Sequence, residues 1–426
     1  MTTYYVETYG CAHNIADSER MSGILKQNNL DPVNTLIQAD VIIINTCTVK
    51  GPTENAFFTR LENISKEFPN KAIIIAGCIP QSDPIKVKKY TTIGPRQYQN
   101  ITKAVTEALN HNQVHLLETG EMPPLNLPKI RKNELIEVIP INLGCMSHCT
   151  FCKTKQARGD LLSYTIEEIT SVAAQAIQDG VKEIWLTSQD TMCYGFDKKS
   201  NLANLLTSLT ALEGDFKIRV GMGNPIHFKK IKDEITKILS HPKIYQFIHL
   251  PIQAGSNKVL KDMRRGNTKE EYIEQINTLR TSIPNITIAT DIIVGYPTET
   301  EADFQETLEV VKITTPDIIN ISRFWPRPKT PAEKLTPLAT DIVKERTKRL
   351  TELFHTIAQE QNQKWIGWTG QIIITEMGKL PNQWIGRNQT YRPIIVEGEF
   401  NIGDKLNIKV TKATVFDLRA EIVTTK

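Results

Sequence analysis

Between Tyr4 and Asn110, short apolar runs at Tyr4 to Thr8, Val41 to Asn45 and Ala72 to Ala76 are each followed by a stretch of helical periodicity. Four strand and helix pairs in that alternation predict a doubly wound parallel sheet. Periodicity then fails. Met122-Pro123-Pro124 and Pro128 interrupt it, and Lys129, Arg131 and Lys132 add positive charge, so an interdomain linker is expected over residues 112–135. It reads as a solvated tether, with contact to a phosphate backbone as the other reading. From Ile136 to about Lys329 the pattern alternates six more times. The candidate strands are Glu137 to Leu143, Glu183 to Thr187, Lys217 to Met222, Gln246 to Leu250, Thr287 to Val294 and Ile318 to Arg323, with helical runs such as Thr165 to Gln178 and Glu301 to Lys312 between them. Six such units predict an open partial (β/α)6 barrel. In Asp341 to Lys364 an apolar stripe (Ile342, Leu350, Leu353, Phe354 and Ile357, joined by Arg346) runs beside Lys344, Lys348 and Arg349, which predicts one amphipathic helix packed on the barrel. Beyond Trp365 the runs shorten to Gln371 to Thr375, Arg392 to Val396, Lys405 to Val410 and Ala413 to Leu418, punctuated by glycines, and predict a small all-β barrel. The chain is thus α/β overall, with domains expected over 1–111, 136–364 and 365–426.

Composition adds little to this division. With 40% hydrophobic and 23% charged residues, 426 residues make a globular chain of two or three domains. No apolar run approaches the ~20 residues of a membrane span, and Met1-Thr2-Thr3-Tyr4-Tyr5 has no signal-peptide pattern. A cytoplasmic protein without a membrane partner is expected. The net charge of +4 hints only mildly at an anionic partner. In the last domain Trp365, Trp368, Trp384, Tyr391, Arg387, Arg392 and Lys409 suit either a nucleic-acid surface or a core with its ordinary rim.

The cysteines change the picture more. Seven of them, an odd number, point to reduced thiols and metal ligation. Gly144-Cys145-Met146-Ser147-His148-Cys149-Thr150-Phe151-Cys152 spaces three thiols as C-x3-C-x2-C, so one tight loop can turn all of them onto a soft metal centre. A closed zinc site wants four ligands. Three thiols on a four-iron cube leave one iron open for substrate or cofactor; a degenerate zinc loop or chance clustering is the competing reading. The loop follows the first barrel strand, on the carboxyl-terminal face where catalytic groups of such barrels lie. Cys11, Cys47 and Cys78 each follow a strand of the first domain, at the strand ends where open parallel sheets bind ligands, and are expected to converge. Their other reading is buried apolar filler.

Together these stretches resemble the radical S-adenosylmethionine (SAM) methylthiotransferases nearly end to end. Thr8-Tyr9-Gly10-Cys11 with Asn14, Asp17, Ser18 and Glu19, then Asn45-Thr46-Cys47 and Gly77-Cys78, is similar to that family's first-domain pattern. Cys145, Cys149 and Cys152 match the radical-SAM motif, and Pro251-Ile252-Gln253-Ala254-Gly255-Ser256 resembles the family's Q-[SA]-G-S segment. Cys152-Lys153-Thr154-Lys155-Gln156-Ala157-Arg158-Gly159 and Trp185-Leu186-Thr187-Ser188 are similar to the branch that modifies threonylcarbamoyladenosine (t6A) in tRNA. One departure is Gln189, where that branch usually has Glu. Cys193 matches no family ligand and reads as a structural or incidental thiol.

The resemblance implies an N-terminal domain with an auxiliary 4Fe-4S cluster on Cys11, Cys47 and Cys78, a radical-SAM domain whose 4Fe-4S cluster on Cys145, Cys149 and Cys152 binds SAM, and a C-terminal TRAM domain. Gln189, Asn224, Gln253, Asp291 and Gly295 are the implied SAM-lining residues. The implied reaction is methylthiolation of C2 of t6A at position 37 in the tRNA anticodon loop, which gives 2-methylthio-t6A. Hydrogen on an aromatic carbon has no acidic proton, so a cofactor radical must remove it. An electron donor such as flavodoxin or ferredoxin is required, and the sulfur source stays open. The t6A carboxylate calls for a cation, for which Arg158, Arg323 and Arg327 are candidates, a structural ion pair or phosphate contact being their other role. Isopentenyladenosine in tRNA, an aspartate of a ribosomal protein, and a noncatalytic iron-sulfur RNA-binding protein are the alternatives.

Overall fold

The computed structural model describes residues 2–49 and 51–423; Met1, Lys50 and residues 424–426, and with them the outer ends of the first and last expected domains, lie outside the described residues. In the N-terminal part, β1 (Thr3–Thr8), β2 (Asp31–Pro32), β3 (Val41–Thr46), β4 (Ala72–Gly77), β5 (Thr91–Ile93) and β6 (His115–Leu116) form a parallel sheet of order β2-β1-β3-β4-β5-β6. Strand β3 is buried on both faces, which is why it reads as an unbroken apolar run. Val41 and Ile43 pack with residues of α1 (Ala12–Gln27) and α4 (Ile101–Leu109), while Ile42 and Ile44 pack with residues of α2 (Gly51–Glu67) and α3 (Cys78–Ser82). The sheet is therefore doubly wound. Its short strands β2, β5 and β6 escape sequence reading because two or three residues carry no periodicity.

The expected tether is tied down along its length. Its His115 and Leu116 supply β6, and Leu125 joins the core of the barrel. The Ile130 amide donates to the Glu19 carbonyl (2.9 Å), and the Lys132 amide to the Glu19 carboxylate (2.8 Å). Lys129 and Arg131 both pair with the buried Glu137. Their charge is spent on that carboxylate, which overturns both the solvated tether and the phosphate contact.

The central part is a six-stranded parallel arc. Strands β7 (Ile136–Pro140), β10 (Glu183–Thr187) and β11 (Lys217–Val220) form one half, and β12 (Phe247–His249), β13 (Thr287–Val294) and β14 (Ile318–Arg323) the other, joined by a parallel bridge between Ile218 and Ile244. The expected strand to Leu143 stops at Pro140, and Asn142–Leu143 (β8) instead pairs antiparallel with Leu162–Ser163 (β9), closing the loop that carries Cys145, Cys149, Cys152 and the short helix α5 (Thr154–Arg158). Side chains alternate along each strand. Ile184, Leu186, Ile218, Val220, Ile248 and Ile288 join the core beneath α6 (Ile166–Gln178), α7 (Leu202–Thr210), α8 (Pro225–Ile238), α9 (Asn257–Asp262), α10 (Lys269–Ser282) and α11 (Glu301–Thr314). Val138, Trp185, Arg219, Phe247 and Asp291 alternate to the concave side. There Ala12, Ile15 and Ala16 of α1 pack with Val138 and Trp185, so the first domain's helix covers the open side of the barrel.

Helix α12 (Thr340–Gln363) buries Val343, Arg346, Leu350, Phe354 and Ile357. Its stripe matches the sequence reading except at the first turn, where Ile342 is exposed and Val343 instead packs against Gly295. Five strands then close a barrel of order β15-β16-β17-β19-β18: β15 (Thr369–Met377), β16 (Gln383–Arg387), β17 (Pro393–Glu397), β18 (Lys405–Ala413) and β19 (Leu418–Ile422). The run Ala413 to Leu418 is mostly a turn, closed by the Thr414 amide donating to the Asp417 carbonyl (2.8 Å), with the strand starting at Leu418. Most aromatic candidates for nucleic-acid contact are structural. Trp365 is buried, the Trp384 indole donates to the Gly398 carbonyl, and Tyr391 stacks on Tyr245 and Phe247 of the central domain. Arg392, also buried, pairs with Asp317, donates to Asn362 Oδ1 (2.6 Å) and lies over the Trp365 ring. Lys409 stays exposed. Replacing Arg392 with Ala leaves the buried Asp317 to the more distant Arg280 (3.7 Å) and should cost about 3 kcal/mol; a denaturant midpoint equal to that of the unsubstituted protein would show that the joint contributes nothing.

Candidate metal centres and active site

The three N-terminal cysteines meet at the carboxyl ends of β1, β3 and β4. Gly10 sits at φ 103°, and a Cβ there would fall 2.6 Å from Cys47 Sγ, so only glycine lets the first loop close over the second. Asn14 ties the loops together: its Nδ2 donates to the Tyr9 carbonyl (3.0 Å) and the Thr46 carbonyl (2.7 Å), and its Oδ1 lies 3.8 Å from Cys11 Sγ. Asn45 Nδ2 donates in turn to the Asn14 carbonyl (2.8 Å). Burial, and after it the neighbouring Cys78 and Cys11, push the Cys47 thiol up to about 12. Burial also raises Cys78, while the Arg158 guanidinium holds it back. Cys11 is exposed while Cys47 and Cys78 are buried, so the set has one open side. Three soft donors gathered on neighbouring strand-end loops suit an iron-sulfur cluster.

The second triplet is held by backbone. The Gly144 amide donates to Gln189 Oε1 (2.8 Å), the Cys145 amide to the Gly159 carbonyl (3.3 Å), and the Cys152 amide to the Cys149 carbonyl (3.1 Å). Arg265 Nη1 reaches Cys149 Sγ at 3.4 Å. A hydrogen bond from Cys193 pulls the Cys145 thiol down to about 7 against its burial, whereas burial and the neighbouring Cys149 raise Cys152. Cys193 Sγ itself donates to the Asp190 carbonyl (3.2 Å), which fits a structural thiol. It lies in a buried group with Asp190 and His227, whose ligand-type atoms are all within 4.8 Å of one another, and the His227 Nδ1 to Asp190 Oδ2 distance is 2.6 Å. The sequence signal was its three-residue spacing from Asp190 just past a barrel strand.

The residues expected to line SAM sit around this loop in different states. Gln189 Oε1 is taken by Gly144, and its Nε2 lies 3.2 Å from His13 Nδ1 of α1, so Gln189 bridges the domains. Asn224 Nδ2 donates to Ser147 Oγ (2.9 Å). Asp291 Oδ1 is 2.9 Å from His249 Nε2 and accepts from Asn320 Nδ2 (2.7 Å). Gln253 has φ 78°, and its Oε1 is buried without a partner. Gly295, at φ 79°, turns its missing side chain toward Val343. Two of the three arginines proposed for a substrate carboxylate are already engaged. Arg158 is buried, with Nη2 donating to Asp17 Oδ2 (2.7 Å) and Asn14 Oδ1 (3.0 Å), and Arg327 is buried on Glu54 Oε2 (2.6 Å) and the Thr48 carbonyl (2.6 Å). Arg323 is exposed at the end of β14 and makes no ion pair among the described residues. Sequence reading missed Arg219, whose guanidinium lies 5.1 to 5.3 Å from the ring centroids of Trp185, Phe247 and Tyr391. It also missed the buried Lys153, which pairs with Asp83 and whose pKa burial lowers to about 8.

The close approach at Gly10 makes a specific prediction. Gly10→Ala should remove about half of the iron taken up on anaerobic reconstitution if each triplet holds one cube, while SAM cleavage persists. Iron content and cleavage both equal to those of the unsubstituted protein would refute the placement of a cluster on Cys11, Cys47 and Cys78.

Comparison with known proteins agrees with this geometry. Three family models match: the uncharacterized protein family UPF0004 over residues 3–93, the radical SAM superfamily over 139–311 and the TRAM domain over 364–423. A threonylcarbamoyladenosine tRNA methylthiotransferase of Drosophila pseudoobscura pseudoobscura is 39% identical over 430 residues, covering 98% of this chain and 77% of that protein. The Homo sapiens protein of the same name is 40% identical over 403 residues (92% and 69%). A Pyrococcus horikoshii protein named as a probable member is 36% identical over 429 residues, covering 100% of both. Among solved structures, the cobalamin-dependent S-adenosylmethionine radical enzyme OxsB aligns with TM-score 0.54 and 14% identity over 83% of this chain and 56% of the longer OxsB chain. The radical S-adenosylmethionine methyltransferase TsrM of Kitasatospora setae aligns with TM-score 0.54 and 11% identity over 78% and 75%. These two show a shared fold. With the relatives' identity sustained along almost the whole chain, the chain belongs to the threonylcarbamoyladenosine tRNA methylthiotransferase family of radical-SAM enzymes.

Proposed function

We propose that this chain transfers a methylthio group to C2 of threonylcarbamoyladenosine at position 37 of tRNA, with a flavodoxin or ferredoxin as electron donor. The observation that carries the reading is the pair of three-thiol sets on adjoining strand-end loops, one in each of two docked domains. When bound, two 4Fe-4S clusters and SAM would supply the one-electron chemistry. Cys11, Cys47 and Cys78 would hold one cluster, and Cys145, Cys149 and Cys152 the one that takes SAM. The buried, unpartnered Gln253 Oε1 suits a donor on a bound ligand, since a buried acceptor left unpaired is costly.

The remaining residues position and shield. Asp291, steadied by His249 and Asn320, offers a fixed carboxylate on the concave side of the barrel. Gln189 holds Gly144, and through it the first cysteine of the loop, in place. Helix α1 covers the open side of the barrel and would shield the reacting groups from solvent and from side reactions. The exposed apolar side chains Val49, Met146, Met222 and Trp325 all follow strand ends of the two sheets, a rim suited to stacking an unpaired base. Such a base is available in an anticodon loop, where no pairing has to be broken.

Arg323, next to this rim and without an ion pair, is the arginine we assign to the t6A carboxylate, which a planar fork grips with two parallel hydrogen bonds. Reconstituted enzyme given matched tRNAs carrying t6A or plain adenosine should methylthiolate only the first. Arg323→Lys, which keeps the charge and loses the fork, should lower that turnover about tenfold with iron content unchanged. Equal turnover on both tRNAs would reject the t6A assignment. Product on an isopentenylated base or a ribosomal-protein aspartate would move the chain to another branch, and absence of any SAM cleavage would leave an iron-sulfur RNA-binding protein.

A further inference from the structure

Arg158 was a candidate for the substrate carboxylate, yet it points the other way, into the N-terminal domain. It ends α5, six residues after Cys152, and α5 packs against α3, the helix that starts at Cys78. Its Nη2 is fixed by Asp17 Oδ2 (2.7 Å) and Asn14 Oδ1 (3.0 Å), and Asn14 Oδ1 is itself 3.8 Å from Cys11 Sγ. Its Nη1 is buried and has no partner. A guanidinium with a spare donor, 1% exposed, thus stands beside the auxiliary triplet. Burial works against its charge, but Asp17, Cys78 and Cys11 outweigh that and keep it protonated. The backbone next to it belongs to the other triplet. The Gly159 carbonyl accepts the Cys145 amide (3.3 Å), and the Arg158 carbonyl accepts from Arg96 Nη2 of the N-terminal domain (3.2 Å).

Three thiolates and their cluster are a net negative group in a largely buried site, and each electron added makes it more so. Such a group needs a nearby cation, because burying uncompensated charge is expensive. His13 is engaged elsewhere, its Nδ1 3.2 Å from Gln189 Nε2 and its Nε2 3.9 Å from Asp17 Oδ1. Arg20 is also buried, but its Nη1 turns back to the Ala16 carbonyl of its own helix (3.5 Å). We propose that Arg158 is the counter-ion of the auxiliary cluster, supplied across the domain boundary by the radical-SAM domain, and that its unpaired Nη1 donates to that cluster or its thiolates. The proposal rests on the reading that Cys11, Cys47 and Cys78 hold a cluster. It makes the properties of that cluster depend on a residue outside its own domain.

The test uses the full-length chain with Cys145, Cys149 and Cys152 all replaced by Ala, so that any iron and any electron-spin signal belong to the N-terminal triplet. The reduction midpoint is then measured with Arg158→Gln, Arg158→Lys or Asp17→Asn added. Removing the positive charge should disfavour the reduced cluster: with Arg158→Gln the reduced-to-oxidised ratio at fixed potential should fall about tenfold, a shift of about 59 mV to lower potential for a one-electron couple. Arg158→Lys should recover most of the loss. Asp17→Asn, which keeps Arg158 and removes its carboxylate, should shift the midpoint the opposite way. Loss of iron in Arg158→Gln, with iron kept in Arg158→Lys and circular dichroism unchanged, also supports the counter-ion role. An unchanged midpoint in Arg158→Gln, or shifts of the same sign in Arg158→Gln and Asp17→Asn, would overturn it. If both Arg158 variants lose iron, the sign of the Asp17→Asn shift decides. If the triple-Ala parent itself binds no iron, the two-cluster reading fails along with it.

Discussion

The constraint on which the rest depends is that two sets of thiols, on two separate sheets, must stay at fixed positions relative to one another. Cations and carboxylates along the domain boundary provide this. Arg158 meets Asp17, Lys153 meets Asp83, and Arg327 meets Glu54. In each pair the cation comes from the central domain and the carboxylate from the N-terminal one. Buried pairs of this kind are weak sources of stability, because desolvation cancels most of their attraction, but a misplaced partner leaves a bare buried charge. Sliding the domains by one residue would break all three. An apolar seam of the same area would tolerate that slip, since apolar contacts have no direction.

The cysteine loops feed directly into this seam, which is why they share residues with it. Lys153 follows Cys152, and Asp83 lies five residues beyond Cys78. Burial drives the Lys153 pKa down to about 8, while the carboxylates of Glu54 and Glu333 work in favour of its charge. Glu54, though buried, is held below the ordinary carboxylate range by Lys86, Arg327 and Lys153. Charge at the seam is thus conditional on docking. Each domain completes the electrostatics of the other.

Sequence reading recovered the elements whose signal is local. Strands β10, β13 and β14 follow from apolar runs, and the thiol positions follow from loop spacing. It failed where the deciding partner is distant in the chain. The charges Lys129 and Arg131 looked like a solvated tether because nothing nearby says that Glu137 would be buried beneath them. The aromatics of the last domain looked like a nucleic-acid face because stacking on Tyr245 and Phe247 depends on how the barrels dock. The roles of Arg158 and Arg219 are invisible for the same reason. Strand β16 was missed because Gln383-Trp384-Ile385-Gly386-Arg387 has too short and mixed an apolar pattern, and its pairing with β15 and β17 is what makes it a strand.

Docking also determines from which side a substrate reaches the interior. The open side of the barrel is covered by Ala12, Ile15 and Ala16 of α1, packed with Val138 and Trp185. Toward the amino-terminal ends of its strands the interior holds Tyr391 of the last domain, whose ring centroid is 4.8 Å from that of Tyr245, with Arg219 stacked between Trp185, Phe247 and Tyr391. Of the two ends of the barrel, the carboxyl end is the one where Cys11 is exposed and where Met146, Met222, Trp325 and Arg323 reach solvent. Both thiol sets face that end because both sheets are parallel and both place their loops after the strands. A reaction that needs one group from each set is therefore possible only in the cleft between them. The seam of ion pairs, with α1 packed in the barrel's opening, holds both sets of loops in one fixed relation.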